Sequence, residues 1–595
     1  MLAGLTAVLV LFGAIVYPRF AFPRHGAGSI FSPPPAGRTE PPLWQPSDQS
    51  AGSLAPPAPT ANIPSPSPQL PLAAATLPGE NIAPMDLGNI QNGSTVEFSM
   101  IGPDSQAMNA QANPFLIQVD VTFTDPGGHA VVVPAFFDGD GIGGPDGNVW
   151  KVRFAPDVTG EWTFASNSST KQLSEYQGGF RVVSADTCVG EQVTDLRCKG
   201  RLEYHGSHFL RFENGDYWIK GGVDDPENFL GKAFGSWQEK KEALDYLASQ
   251  GVNSIYVITN NIDGDGKDTW PWLGSTPQQA KQNSDRFDTA RLAQWEDFFS
   301  HAESKGMVLH IVLDDDSAWN EYNHELYYRE MIARFGHHPG IIWNIGEEAN
   351  EIYSNDQQVE LAQTLRAMDP YRHPVTVHRR ADWPFVGNPQ FDLTSIQVGD
   401  GAEAFSEADL RDLNQIVNNQ REKSASAGRP IPVMIDETPG IDRVDESIRR
   451  KVRSQLLYPT YLGGGNFELH FRDTFVENGL SSLGELEPLL EDMQRARLFL
   501  GALPFHLMSS CNHLLSRDAG FCYGVPGRVY ALYLPRGGTV RVDLSGMTGP
   551  IDVTWFDPRT GDTHDANSVQ GGGEGSFTSP SDEDWVLRLN GTSSG

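Results

Sequence analysis

Two places in the chain end an apolar run on carboxylates. Gly340 to Asn350 reads GIIWNIGEEAN, and Ile431 to Thr438 reads IPVMIDET. Adjacent carboxylates repel, and a buried one is costly unless it is paired or put to use. Two carboxyl groups facing each other across a cleft can break a glycosidic bond. One, held protonated, protonates the leaving oxygen; the other attacks the anomeric carbon or activates water. Glu348 and Glu437 are the candidates for this pair, and Glu347 beside Glu348 would help to raise the acid's pKa. A strand alternates its faces, so Glu347 and Glu348 both point inward only if the strand curls at its end.

The elements that must position these groups are readable from periodicity. Between Gly200 and Leu500 strand-like runs such as NSIYVIT, MVLHIVL, IIWNIG and IPVMID alternate with helix-like ones. Ser236 and Glu239 make a capping box ahead of one helix, and Gly251 ends it. Leu292, Trp295, Phe298 and Phe299 form the apolar stripe of the next. The eight strand–helix steps predict a (β/α)8 TIM barrel over 200–502. An open doubly wound sheet ranks second, because no Gly-rich phosphate fingerprint follows the first strand.

In such a barrel the active site lies at the C-terminal strand ends, where strands four and seven face each other. The remaining strand ends then supply the candidate substrate-binding residues. These are Asp224 and Asn228, then Asn260 and Asp263 with Trp270 and Trp272 in the loop beyond, then Asp314, Glu347, His378, Gln397 and Glu468. Acids and aromatics on one rim suit sugars. No GxSxG elbow or HExxH pair points to a serine hydrolase or a common zinc peptidase.

The flanks differ in kind. Residues 1–24 hold an apolar run, Leu2 to Tyr17, that reads as an export signal or an uncleaved membrane anchor. Residues 25–85 are Pro- and Ser-rich and read as a disordered linker. Residues 90–186 and 503–591 alternate apolar and polar residues between turn signals, which predicts an N-terminal and a C-terminal β-sandwich. The four cysteines allow three pairings, and Cys188–Cys198 with Cys511–Cys522 closes two short loops, as expected of an exported chain. The expected location is therefore secreted, periplasmic or cell-surface. A net charge of −32 argues against nucleic acid as a partner. No resident metal or cofactor is expected. The acidic loop Asp138 to Asn148 could take a structural Ca²⁺, but it lacks a closing Glu, and a tight turn is the preferred reading.

A catalytic Glu ending strand four and another ending strand seven resembles the layout of the clan A glycoside hydrolase barrels. That resemblance implies a retaining mechanism with Glu348 as acid/base and Glu437 as nucleophile. It also places Glu347 where the clan usually has Asn, a departure from the pattern. Over about 92–590 the chain resembles an uncharacterised bacterial family. The resemblance rests on segments such as WKVRFAPDVTGEW, GGVDDPENFL, ELYYREMIARFGHHPGIIWNIGEEAN and WFDPRTGD. In that family a sandwich of unassigned function precedes the barrel and a collagen-binding-like module follows it. The implied activity is carbohydrate hydrolysis. Two other readings use the same residues: a non-catalytic barrel that binds carbohydrate or matrix, and a polysaccharide lyase with a His or Tyr base.

Overall fold

The structure is a computed structural model. It describes residues 84–591 apart from 110, 185–187, 189–193, 225–228, 232–234, 265–267, 381–382, 400–412, 442, 472–482 and 517–518. The chain divides into two units, Met1–Gln69 and Leu70–Gly595, and every described residue belongs to the second. The apolar run Leu2 to Tyr17, most of the Pro-rich tract and Asn228 lie outside the described residues. Among the described residues no helix is long and apolar enough to cross a membrane.

Parallel strands make the centre. In chain order they are β1 (Gly221–Val223), β2 (Ser254–Ile258), β3 (Val308–Val312), β4 (Ile341–Asn344) and β5 (Val375–Thr376, continued by His378–Arg380). Then come β6 (Ser395–Gln397), β7 (Met434–Glu437) and β8 (Asn466–Leu469). Each pairs in parallel with the next, and β8 pairs back to β1. The first half of β5 bonds to β4 and the second half to β6, so the sheet counts as nine strands and is a nearly closed barrel. The gap falls at Val377, inside one continuous stretch of chain. Every residue of β2, β3 and β4 is buried, as expected when both faces of a parallel sheet are covered.

Helices follow the strands. After β1 comes α1 (Trp237–Ser249), after β2 α2 (Thr289–Ser304), after β3 α3 (His324–Phe335), after β4 α4 (Asn355–Met368) and after β6 α5 (Leu413–Ser426). A run from Glu446–Lys451 to Tyr458–Tyr461 follows β7, and Glu487–Gly501 follows β8. The capping box at Ser236 and Glu239 is formed, with the serine side chain accepting from the Glu239 N–H and the glutamate accepting from the Ser236 N–H. Gly251 takes φ +82°, which lets the chain turn back into β2. Helix α2 buries Leu292, Trp295, Phe298 and Phe299 completely. Each such side chain contributes about 1.5–3 kcal/mol of transfer free energy.

The N-terminal strands form two sheets. A five-stranded sheet runs Met85–Gln91, Gln177–Val183, Gly160–Ser168, Val119–Thr124, Ala130–Pro134; a three-stranded one runs Val96–Ser105, Gly147–Phe154, Phe136–Phe137. Phe98 stacks on Phe164 at 4.4 Å and Phe154 on Phe123 at 4.1 Å, joining the two sheets through their aromatic faces. The acidic loop there is a turn. Asp138 pairs with Lys151 at 2.7 Å and Arg334 at 3.1 Å, and Asp140 Oδ1 accepts from the N–H of Ile142 and of Gly144. The C-terminal strands form a six-stranded antiparallel sheet and a two-stranded one around their own apolar core. Cys188 is bonded to Cys198 and Cys511 to Cys522, the pairing that the sequence suggests.

Candidate active site

The chain leaving β4 is tied down on both sides. Asn344 Oδ1 accepts from the N–H of Gly346 at 3.2 Å and of His378 at 3.1 Å, and the N–H of Glu347 donates to the Asp314 carbonyl at 2.8 Å. The next residue, Glu348, has φ +34°. A non-glycine residue in that region costs about 1–3 kcal/mol, and such strain gathers at functional positions. The strand does curl: Glu347 and Glu348 are both 5% exposed, and both belong to the barrel mouth rather than the helix layer.

Across the barrel, β7 ends on Glu437. One side-chain atom each of Glu347, His378 and Glu437 lie within 4.8 Å of one another. His378 Nδ1 is 3.4 Å from Glu347 Oε1 and its Nε2 is 3.9 Å from Glu437 Oε2. Gln397, ending β6, donates from Nε2 to Glu437 Oε1 at 2.6 Å. Glu347 Oε2 has no hydrogen-bond partner among the described residues.

The electrostatics separate these acids. Burial pushes the Glu347 carboxyl well above its ordinary range, and Asp315, Glu437, Asp316 and Glu348 push it further. Burial also raises Glu437, while His378 and the Gln397 hydrogen bond pull it back. Glu348 is raised by burial but restrained by Arg380, whose Nε donates to Glu348 Oε1 at 2.6 Å. Burial lowers His378, so its imidazole is neutral at neutral pH. Beyond Glu348 the mouth continues with Asp316 and the exposed Glu351, one oxygen of each within 4.8 Å of a Glu348 oxygen.

Other strand-end candidates are held in the barrel wall instead. Asp314 is fully buried and accepts from Asn260 Nδ2 at 2.8 Å, Tyr322 OH at 2.6 Å and Tyr353 OH at 2.9 Å. Asn260 is thereby engaged as well. Trp272 is fully buried among Trp319, Tyr322 and Tyr327, with ring centroids 4.8–5.6 Å away. Trp270 donates to the Gly274 carbonyl and lies under the Arg291 guanidinium. Neither indole offers a face to a sugar, because the β2–α2 loop folds back on the wall. Asp263, at φ +68°, pairs with Lys281 on the outside of that loop. Asp224 is buried at the end of β1, where its N–H donates to the Leu469 carbonyl.

Glu468 lies deeper, in a cluster that strand-end reasoning missed. The fully buried Lys220 ammonium contacts Glu468 Oε1 and Asp436 Oδ1 at 2.8 Å each and His310 Nδ1 at 3.1 Å. Ser395 Oγ donates to the second Asp436 oxygen at 2.5 Å. The signal was present: a lysine in the apolar run YWIKGG has no place in a buried strand unless acids meet it there. Arg380 is a mouth residue that the strand-end candidates did not include; its neighbour Arg379 turns to Asn355 and Gln358. Among the described residues, groups of three acidic or histidine side chains spaced to hold a cation occur in four places. Three already contain a protein cation: Lys220 with Asp436, Glu468 and His310; Arg153 on Glu296 beside His337 and His338; and Arg380 on Glu348. The fourth is the Glu347–His378–Glu437 group.

Residues 94–169 match the family model described as "Domain of unknown function (DUF5060)", and residues 524–590 match "Putative collagen-binding domain of a collagenase". No curated protein matches the chain. Among solved structures the chain is similar to "a putative glycoside hydrolase from Bacteroides vulgatus ATCC 8482". The identity is 17% and the TM-score 0.66, over 84% of this chain and 99% of that one. It is similar also to "a glycoside hydrolase family 5 from Bacteroides vulgatus ATCC 8482", at 17% identity and TM-score 0.53, over 66% of this chain and 93% of that one. A third structure, described as "Glycoside hydrolase", matches at 17% identity and TM-score 0.53, over 67% of this chain and 98% of that one. At this identity the likeness is one of fold, and it extends along nearly the whole length of all three.

Proposed function

We propose that the protein is an exported glycoside hydrolase acting on a poly- or oligosaccharide with retention of configuration. Glu348 protonates the leaving oxygen while Glu437 attacks the anomeric carbon and forms a glycosyl ester. Glu348, then ionised, takes a proton from the water that releases the sugar. The central sheet with its helices is read as a (β/α)8 barrel, with sandwiches at about 90–186 and 503–591. The chemistry needs no cofactor.

One observation carries this reading. Strands β4 and β7, distant in the chain, bring carboxyl groups to one mouth, where oxygens of Glu347 and Glu437 lie within 4.8 Å and Glu348 feels the Glu437 charge. Acids from two facing strands at one mouth are what a two-carboxylate hydrolysis requires. The names carried by the similar structures agree with it, and the two disulfides agree with export. Of the two β4 glutamates, Glu348 suits the acid/base. It has to release and regain its proton in each turnover, and it is linked to the solvent-facing Arg380.

The test is a panel of polysaccharides and 4-nitrophenyl glycosides, with product configuration followed by NMR, on wild type, Glu348→Gln and Glu437→Gln. The expected result is retention, loss of turnover in both variants, and partial rescue by azide of the Glu437 variant. Turnover that survives both substitutions would remove the two-carboxylate reading.

A further inference from the structure

Of the four groups spaced to hold a cation, Glu347, His378 and Glu437 are buried on all three members, and among the described residues no lysine or arginine is paired with them. His378 is 1% exposed, and neither of its ring nitrogens has a hydrogen-bond partner among the described residues. The backbone that carries the ring is fixed, since its N–H donates to Asn344 Oδ1 and to the Gly346 carbonyl at 3.1 Å each. Glu347 Oε2 is likewise unpartnered. On Glu437, Gln397 Nε2 donates to Oε1 at 2.6 Å and His470 Nδ1 lies 3.8 Å from that same atom. That leaves Oε2 turned toward His378 Nε2, 3.9 Å away. A buried imidazole with two unmatched nitrogens is costly unless something from outside completes it.

The donor types and their spacing say what completes it. Zinc holds imidazole nitrogen and carboxylate oxygen at about 2.0–2.2 Å in a tetrahedron, so two of its donors stand about 3.4 Å apart. Glu347 Oε1 and His378 Nδ1 are already 3.4 Å apart, and one donor atom of each of the three residues lies within 4.8 Å of the others. A small side-chain movement closes the set on one ion. Imidazole with two carboxylates suits a transition-metal dication, whereas calcium and magnesium prefer shells made of oxygen alone. The ion also reverses the local balance: Asp315 and Glu437 repel a charge on Glu347, and a dication attracts both glutamates. We propose that Glu347, His378 and Glu437 form a binding site for a divalent transition-metal ion, zinc above all, and that the bound ion silences the mouth. The metal is a regulator and no cofactor. Resting on the two-carboxylate reading above, an ion on Glu437 Oε2 takes the lone pair that attacks the anomeric carbon, and hydrolysis waits until the metal leaves. Arg380, bonded to Glu348, acts on Glu437 as well and opposes the ion, which keeps binding reversible.

The test is isothermal titration of ZnCl2 into the metal-free full chain, with Glu347→Gln and His378→Gln alongside and circular dichroism to confirm each fold. Wild type is expected to bind one zinc that each variant holds about a hundredfold more weakly or not at all. CaCl2 and MgCl2 are expected to bind at least about tenfold more weakly than zinc. The surface pair His205 and Glu203 offers zinc another foothold, so His205→Ala is included and is expected to leave the event unchanged. Equal zinc affinity in wild type, Glu347→Gln and His378→Gln means adventitious surface binding and overturns the proposal, as does no binding at all. With the 4-nitrophenyl glycoside that the wild type turns over, zinc is expected to raise the apparent KM at unchanged kcat, and EDTA to restore the rate. Turnover that depends on Glu437 yet is indifferent to saturating zinc puts the ion elsewhere and overturns the proposal. If zinc binds as expected while Glu348→Gln and Glu437→Gln keep full turnover, the hydrolase reading falls and the metal site stands. If turnover needs both glutamates and zinc does not bind, the metal site falls and the hydrolase reading stands.

Discussion

The barrel holds two buried acidic clusters built from neighbouring residues of the same strand, and they are handled in opposite ways. Asp436 faces into the barrel core, where Lys220 joins it to Glu468 and Ser395 covers its other oxygen. Despite burial, those acids hold the Lys220 ammonium above its ordinary pKa. Glu437, one residue on, faces the mouth, where the Gln397 amide and the imidazoles of His378 and His470 reach it. In the core cluster a buried ammonium stands between two acids, although burial still holds Glu468 well above its ordinary range; at the mouth burial raises Glu347 and Glu437 with an imidazole and an amide as neighbours.

The widest contrast is in activity. Glu437→Gln is expected to lower kcat by about 10⁴-fold or more. Its stability, measured by urea unfolding, is expected to stay level or rise by about 0.5–2 kcal/mol, because a poorly bonded acid has been removed. Lys220→Met should do the reverse at the level of the fold. Stranding two buried carboxyls costs about 3–5 kcal/mol, read by the same unfolding curve. A Glu437→Gln variant that unfolds as easily as Lys220→Met would erase the distinction.

What the sequence made visible divides along the same line. Strand ends, the capping box at Ser236 and the α2 stripe are local patterns, so their residues announced them. Glu347, Glu348, Glu437, His378 and Gln397 could be listed together because a barrel sends strand-end side chains to one mouth. Trp270, Trp272 and Asp314 satisfied the same rule and yet lie in the wall. Their partners, Tyr322, Tyr327 and Tyr353, come from the loop before α3, from α3 and from the loop before α4, and no local pattern tells an indole covered by them from one offered to a sugar. His337 and His338, just after α3, are part of an ionic seam.

That seam is a third case, built like the core cluster but open to titration. Between the N-terminal sheets and α2, Arg153 reaches Glu296 at 2.9 Å, and His338 lies 3.4 Å from the same carboxylate oxygen and 2.7 Å from Glu303. Burial opposes its charge, but the two glutamates raise His338 to about 9. A histidine raised in the folded state contributes stability that is complete below its unfolded pKa of about 6.5 and lost as pH rises through about 9. The contribution is about 3 kcal/mol. His338→Gln is expected to flatten the fall in unfolding free energy between those pH values, and an unchanged slope would remove the seam from the satisfied class.

The smallest effect bears on Glu348, a mouth acid with a counter-charge. Arg380 is half exposed, so Arg380→Ala should change stability by no more than about 1 kcal/mol. Its guanidinium, however, is what restrains the rise of the Glu348 pKa after burial has raised it. On the proposed mechanism Glu348 starts turnover protonated, so kcat/KM falls as pH rises through its pKa. Removing Arg380 lets that pKa climb, and the alkaline limb of the pH profile should move to higher pH with the fold intact. A limb that stays in place in Arg380→Ala, with turnover lost in Glu347→Gln but kept in Glu348→Gln, would mean that Glu347 is the titrating acid, and that the arginine marks Glu348 as part of the scaffold.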